Sequence, residues 1–96
     1  MTIKRIGVTS EYGPLMSRGV IYGDTVMLSG VVAGDLSQDT EAQTREILRT
    51  IDGLLAEAST NRNNVLTAHI WLSDMANFQQ MNAGWNDWVD AAAPPA

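Results

Sequence analysis

A chain of 96 residues has room for one small domain, and one of this size buries only roughly 60–65% of the surface its unfolded form exposes. It contains no cysteine and one histidine, which excludes a thiol nucleophile, a thiolate zinc site and an iron–sulfur cluster and argues against a His-rich metal site. The net charge of −5 repels phosphate backbones, so nucleic acid is not an expected partner. Charged residues make up 18% of the chain against a usual ~25%, which suggests that a partner covers part of the surface.

Ile3 to Val8 reads as a first strand, and Ser10-Glu11-Tyr12-Gly13-Pro14 as a loop, because Gly-Pro interrupts regular structure. Ser17–Tyr22 and Thr25–Val32 are both rich in β-formers. Only Gly23-Asp24 separates them, a pair suited to a two-residue hairpin turn. Along the second of these strands Val26, Leu28, Gly30 and Val32 share one face, and Thr25, Met27, Ser29 and Val31 share the other. Neither face is fully polar, so both should be covered.

Ala33-Gly34-Asp35 breaks the strand, and Ser37 or Asp39 can cap the helix that follows. From Thr40 onward Ile47, Leu48, Ile51, Leu54, Leu55 and Ala58 form one apolar stripe at helical spacing. Glu41, Arg45, Arg49 and Asp52 fall on the solvated side, with Glu41 and Arg45 as an i,i+4 pair. Ser59 to Asn64 is a polar loop. Val65 to Leu72 is the next expected strand, with Leu66, Ala68, Ile70 and Leu72 facing the helices and Val65, Thr67, His69 and Trp71 on the other side. Ser73-Asp74 then caps a second helix whose stripe is Phe78, Met81, Trp85 and Trp88. The expected order is β-β-β-α-β-α, an α+β domain with both helices on one sheet face. The second face, with Met27, Val31, His69 and Trp71, stays wet in a monomer, so an oligomer that buries it is expected.

Few residues offer chemistry. His69 reads either as a general base near neutral pH or as a half-buried strand residue at a subunit contact. Trp71, Trp85 and Trp88 could stack a ligand, although the last two have core spacing. Asp87 and Asp90 read as solvated helix residues. Asn82 lies beside the apolar stripe and needs a polar partner, in the backbone or in a cleft. Arg18, on a strand, could grip a carboxylate through two hydrogen bonds or form a surface ion pair. No run approaches the roughly 18 apolar residues of a membrane span, and Met1–Ile6 lacks a secretory core, so a cytoplasmic protein without membrane contact is expected.

Several stretches together resemble a known family. They are Gly13-Pro14, Gly19 to Thr25, Leu28-Ser29-Gly30, Thr40-Glu41-Ala42-Gln43-Thr44-Arg45, Val65 to Phe78, Met81 to Trp85 and Ala93 to Ala96. Over nearly its whole length the chain is similar to the Rid (YjgF/L-PSP endoribonuclease-like) family of reactive-intermediate deaminases. Trp85-Asn86-Asp87-Trp88 resembles a divergent subgroup. The resemblance implies a chorismate-mutase-like fold and a homotrimer with ligand clefts between subunits. It also implies hydrolysis of enamine or imine intermediates to 2-keto acids and ammonia, with no metal or organic cofactor. By position, Ser29 and Gly30 match the strand that lines the cleft, and Asn82 matches an asparagine on the helix that borders it. Leu15-Met16 stands where many members have tyrosine, and Arg18 stands where many have glutamine. The family's substrate arginine and water-positioning acid fall after Ala96. Residues 1–96 are therefore read as a single, C-terminally incomplete Rid-like domain without turnover of its own. The alternatives are a non-enzymatic trimer that binds small carboxylates or a protein partner and, weakest, a ribonuclease.

Overall fold

The computed structural model describes all residues from Met1 to Ala96. Its sheet is a meander of β1 (Ile3–Thr9), β2 (Met16–Tyr22) and β3 (Thr25–Leu28), in the order β1-β2-β3 with both pairs antiparallel. The β2–β3 hairpin turns on Gly23-Asp24, as the sequence predicts, with Tyr22 opposite Thr25 and Gly23 at φ +59°. Glycine with positive φ at the first turn position matches the right-handed twist of the flanking strands.

Helix α1 (Thr40–Glu57) starts at Asp39, whose carboxylate accepts a hydrogen bond from the Ala42 N–H at 2.8 Å. Of the two candidate caps, Asp39 takes the role, while Ser37 bonds back to Asp35. The helix ends as Ser59 adopts φ +62° and the Thr60 N–H reaches back to the Leu55 carbonyl at 2.9 Å, which satisfies a terminal acceptor. Leu48, Leu54 and Leu55 of its stripe are buried. Asp74 does not cap the second helix directly. It caps a short 3-10 turn, Met75–Asn77, through the Ala76 N–H, and α2 (Phe78–Trp88) follows at once.

The two helices pack against each other, and α1 also touches β1. Gly84 permits this packing: a Cβ there would lie 2.9 Å from Thr44 Cγ2 and 3.1 Å from Thr44 Cβ. Charged residues expected on the solvated side of α1 instead clasp the rim of this seam. Arg45 bridges Glu41 at 3.2 Å and Asp87 of α2 at 2.8 Å. Asp52 accepts from Arg62 at 2.8 Å and from the Trp88 indole N–H at 3.1 Å, while Arg62 also donates to the Trp88 carbonyl. Asp87 ties the two helices while staying solvated, as its helix position predicts.

One expected element does not form a strand. Val65–Leu72 pairs with no strand of the sheet; apart from the turn bond from the Val65 N–H to Arg62, its backbone bonds join it to Ala96. Both expected faces are consequently open: Leu66 is 81% exposed and Trp71 90% exposed, with Ile70 and His69 also exposed. Apolar alternation specifies which way side chains point, but a ladder needs a neighbouring backbone, and β3 does not supply one. The accessible surface is 6669 Å², against about 5,400 Å² for a compact monomer of this mass. The radius of gyration is 14.0 Å, against about 12.5 Å expected for this length. The molecule is a slab 18 Å thick. No helix is long and apolar enough to cross a membrane.

Two glycine substitutions should move stability in opposite directions. Gly84→Ala should cost about 1–3 kcal/mol through overpacking against Thr44. Gly53→Ala, at an exposed helical position with open space around it, should gain roughly 0.5–1 kcal/mol. Urea unfolding of both variants checks the pair.

Candidate functional site

The sheet's two faces differ in burial. Ile6, Gly19, Val26 and Leu28 line the more enclosed face, whereas Met27 on the other is 69% exposed. Arg18 and Met16 belong to this second face. The ladder between β2 and β3 makes one further bond, from the Ser29 N–H to the Arg18 carbonyl at 2.9 Å, and then ends. The expected strand Thr25–Val32 thus stops at Leu28. Where it ceases to pair, a cavity of about 210 Å³ opens, lined by Tyr12, Met16, Arg18, Gly30 and Val32. That is smaller than the roughly 300–1,000 Å³ of drug-sized ligand sites, so it suits a molecule of few atoms.

Three of the expected site residues, Met16, Arg18 and Gly30, therefore meet in one place. Ser29 lies outside the lining: its N–H bonds the Arg18 carbonyl, and its hydroxyl donates to the Gly30 carbonyl at 3.4 Å. Asn82 does not join them: it is half-buried on α2, outside the cavity lining, and its side chain makes no hydrogen bond within the chain. Leu15 is exposed and also lies outside the lining. Tyr12 is the residue that sequence reading missed. It sits in an irregular turn, where no periodicity indicates which side chain folds over the sheet.

Arg18 is held by shape, not by charge. The β1–β2 register holds on either side, at Ile6↔Gly19 and Val8↔Ser17, which puts Gly7 opposite Arg18. Gly7 has φ +60°, and a Cβ on it would lie 2.9 Å from Arg18 Cβ and 3.0 Å from Cγ. The arginine stem lies in the space this glycine leaves free. Its guanidinium carbon is 5.3 Å from the centre of the Tyr12 ring, within cation–π range. Arg18 takes part in none of the three ion pairs and its side chain makes no hydrogen bond. A half-buried guanidinium beside apolar walls, oriented but without a counter-ion, can accept a small anion.

The loop after the cavity wall is fastened by Glu46. Its carboxylate accepts from the Gly34 N–H and from Gln38 Nε2, the latter at 3.0 Å. The backbone bond from Gly34 is the main reason that the Glu46 carboxyl lies below its ordinary value of 4.5. A second cavity of about 190 Å³ opens along the helix seam, but its Arg45, Arg62, Asp52 and Asp87 already pair with one another. No group of three or more His, Asp or Glu side chains is placed to hold a metal ion.

An α+β domain with a small cavity beside Arg18 on the open face of its sheet is what this geometry defines. The sequence profile described as Endoribonuclease L-PSP matches residues 2–96. A RutC family protein of Haemophilus influenzae is 37% identical over 97 residues, covering 100% of this chain and 80% of that protein. The RutC family protein YoaB of Escherichia coli K12 is 34% identical over 95 residues, covering 99% of this chain and 79% of its own length. Among solved structures, NMB1025 of Neisseria meningitidis, a member of the YjgF protein family, superposes with a TM-score of 0.91 at 34% identity, covering 100% of this chain and 76% of that one. The chain belongs to the endoribonuclease L-PSP family, also called YjgF, RutC or Rid, and carries its α+β fold.

Because the folded-state value of Glu46 lies below the ordinary one, its stabilising effect is complete above pH 4.5 and is lost as pH falls through the folded value. Glu46→Gln should therefore be less stable than wild type at neutral pH, with the gap closing on acidification. Denaturant titrations from neutrality down to about pH 3 measure that gap.

Proposed function

We propose that this protein uses the Arg18 cavity to anchor the carboxylate of a small 2-imino or 2-keto acid. The observation that carries this reading is the oriented guanidinium without a counter-ion, beside the backbone of Gly30 and the apolar side chains of Met16 and Val32. In the parent reaction implied by the family resemblance, water adds to the imine carbon, the C–N bond breaks, and ammonia and a 2-keto acid leave. Anchoring and water placement would supply the catalysis, with no covalent nucleophile. No metal or organic cofactor is called on.

The cavity lining contains no carboxylic acid to position water. That observation favours the second reading, a binder of small carboxylates without turnover, for residues 1–96 taken alone. Asn82 would act only from a neighbouring subunit, across the inter-subunit cleft that the family resemblance implies. A homotrimer is supported by the open sheet face, where Met27 is exposed, and by the accessible surface in excess of a compact monomer. We also take residues 1–96 as one domain completed by further β-structure along Val65–Leu72. Ala96 supports this: its N–H donates to the Leu66 carbonyl and its carbonyl accepts from the Ala68 N–H, both at 2.9 Å. These two bonds have the one-against-two pattern of a parallel ladder. The acidic charge of −5 weighs against RNA as substrate. A cytoplasmic location fits the reading.

Pyruvate should bind the 96-residue protein, and Arg18→Ala should weaken it about 10- to 100-fold, the equivalent of ~1.5–3 kcal/mol for a charged hydrogen-bonded contact. Calorimetric titration reads this, and equal affinity in the variant would refute the anchor. Ammonia release from 2-iminopropanoate generated in situ should stay at the uncatalysed rate. Turnover would show that the chain needs no acid beyond those it carries.

A further inference from the structure

Arg18 owes its position to two residues that the family resemblance does not mark, Gly7 and Tyr12. We infer that Gly7 and Tyr12 form a cradle that fixes the Arg18 guanidinium before any ligand arrives, which makes Tyr12 a positioning residue for carboxylate binding. The inference rests on the reading of Arg18 as the anion anchor.

An arginine side chain has many rotamers, and holding one of them for a ligand costs entropy at the moment of binding. Two contacts remove much of that cost in advance. On one side, the absence of a Cβ on Gly7 opens a channel for the stem: Arg18 Cβ, Cγ and Cδ lie 2.9, 3.0 and 3.4 Å from where that Cβ would be. The positive φ of Gly7, +60°, is itself a conformation that side chains resist, so an unbranched methyl would be disfavoured twice. On the other side, the Tyr12 ring faces the guanidinium carbon at 5.3 Å. An aromatic face attracts a cation without using up its N–H donors, which an ion pair would do. The five donors therefore stay available for a carboxylate. Tyr12, half exposed in the turn before Gly13-Pro14, packs into no core, and the ring needs no hydroxyl for this role.

The test combines nuclear magnetic resonance with ligand titration. The Arg18 Nε–H resonance, assigned by its disappearance in Arg18→Lys, should be displaced upfield by the Tyr12 ring current. Tyr12→Leu should remove the displacement and Tyr12→Phe should keep it. Pyruvate affinity should fall about two- to five-fold in Tyr12→Leu, as expected for a partly exposed cation–π contact, and stay at the wild-type level in Tyr12→Phe. Binding of the uncharged amide, pyruvamide, should be equally weak in all three proteins. Gly7→Ala should lower pyruvate affinity further, and if that variant does not fold, the tyrosine series alone decides. An Arg18 resonance unmoved by Tyr12→Leu, or equal pyruvate affinity in that variant, overturns the cradle. A wild-type protein that binds no pyruvate while keeping the ring-current displacement overturns the ligand reading and leaves the cradle standing.

Discussion

The close approach of the two helices depends on one missing side chain. Without Gly84, Thr44 could not come near the backbone of α2, and the seam would open by the width of a methyl group. Much else is referred to that seam. Asp87 reaches Arg45 only at this spacing, and Trp88 places its indole N–H on Asp52 only when α2 lies in this register. Arg62, which begins the path toward Val65–Leu72, is clamped between the Asp52 carboxylate and the carbonyl and ring of Trp88. The few buried apolar residues, among them Leu48, Leu54, Leu55 and Met81, would form a small core on their own. The polar ties around the seam are partly exposed and add register more than stability.

The same inventory explains why one sheet position stands out. Arg45 and Arg62 have found carboxylates at the partly exposed rim of the helix seam, where their charge is paired. Arg18 has found an aromatic face and a glycine instead, and neither neutralises it. The protein is acidic overall, yet its open sheet face presents a positive centre in an apolar setting. Local backbone events make this possible: β3 leaves β2 after Ser29, and the loop that follows is fastened by Glu46. The cavity is thus the gap left where a ladder stops, bounded on one side by a strand and on the other by a tied loop.

Much of this was legible in the residues. The Gly23-Asp24 turn, the Asp39 cap and the leucine stripe of α1 are governed by neighbours a few positions away, and the structure shows them where local chemistry places them. Gly30 and Met16 are marked by the positions they share with the family and Arg18 by its place on a strand, and the structure brings the three to one cavity. Three features were not legible. Tyr12 enters the site from an irregular turn. Arg45, Asp52 and Asp87 are surface charges whose partners only the packed helices reveal: Arg45 and Asp87 are 42 residues apart, and Asp52 lies 36 from Trp88 and 10 from Arg62. Val65–Leu72 has the alternation of a strand, but pairing is a property of two backbones, and only Ala96 meets it.

The Gly7–Arg18 contact also constrains how this sequence could diverge. Because the Arg18 Cβ stands 2.9 Å from where a Cβ at position 7 would be, a side chain cannot be added at 7 without moving the two strands. Shortening residue 18 gives no relief, because the nearest atom is its Cβ; a larger residue at 7 must instead shift β1 against β2, and the guanidinium would move with its strand. Position 18 can change while position 7 stays glycine, but position 7 cannot change without disturbing position 18, so the dependence between them runs one way.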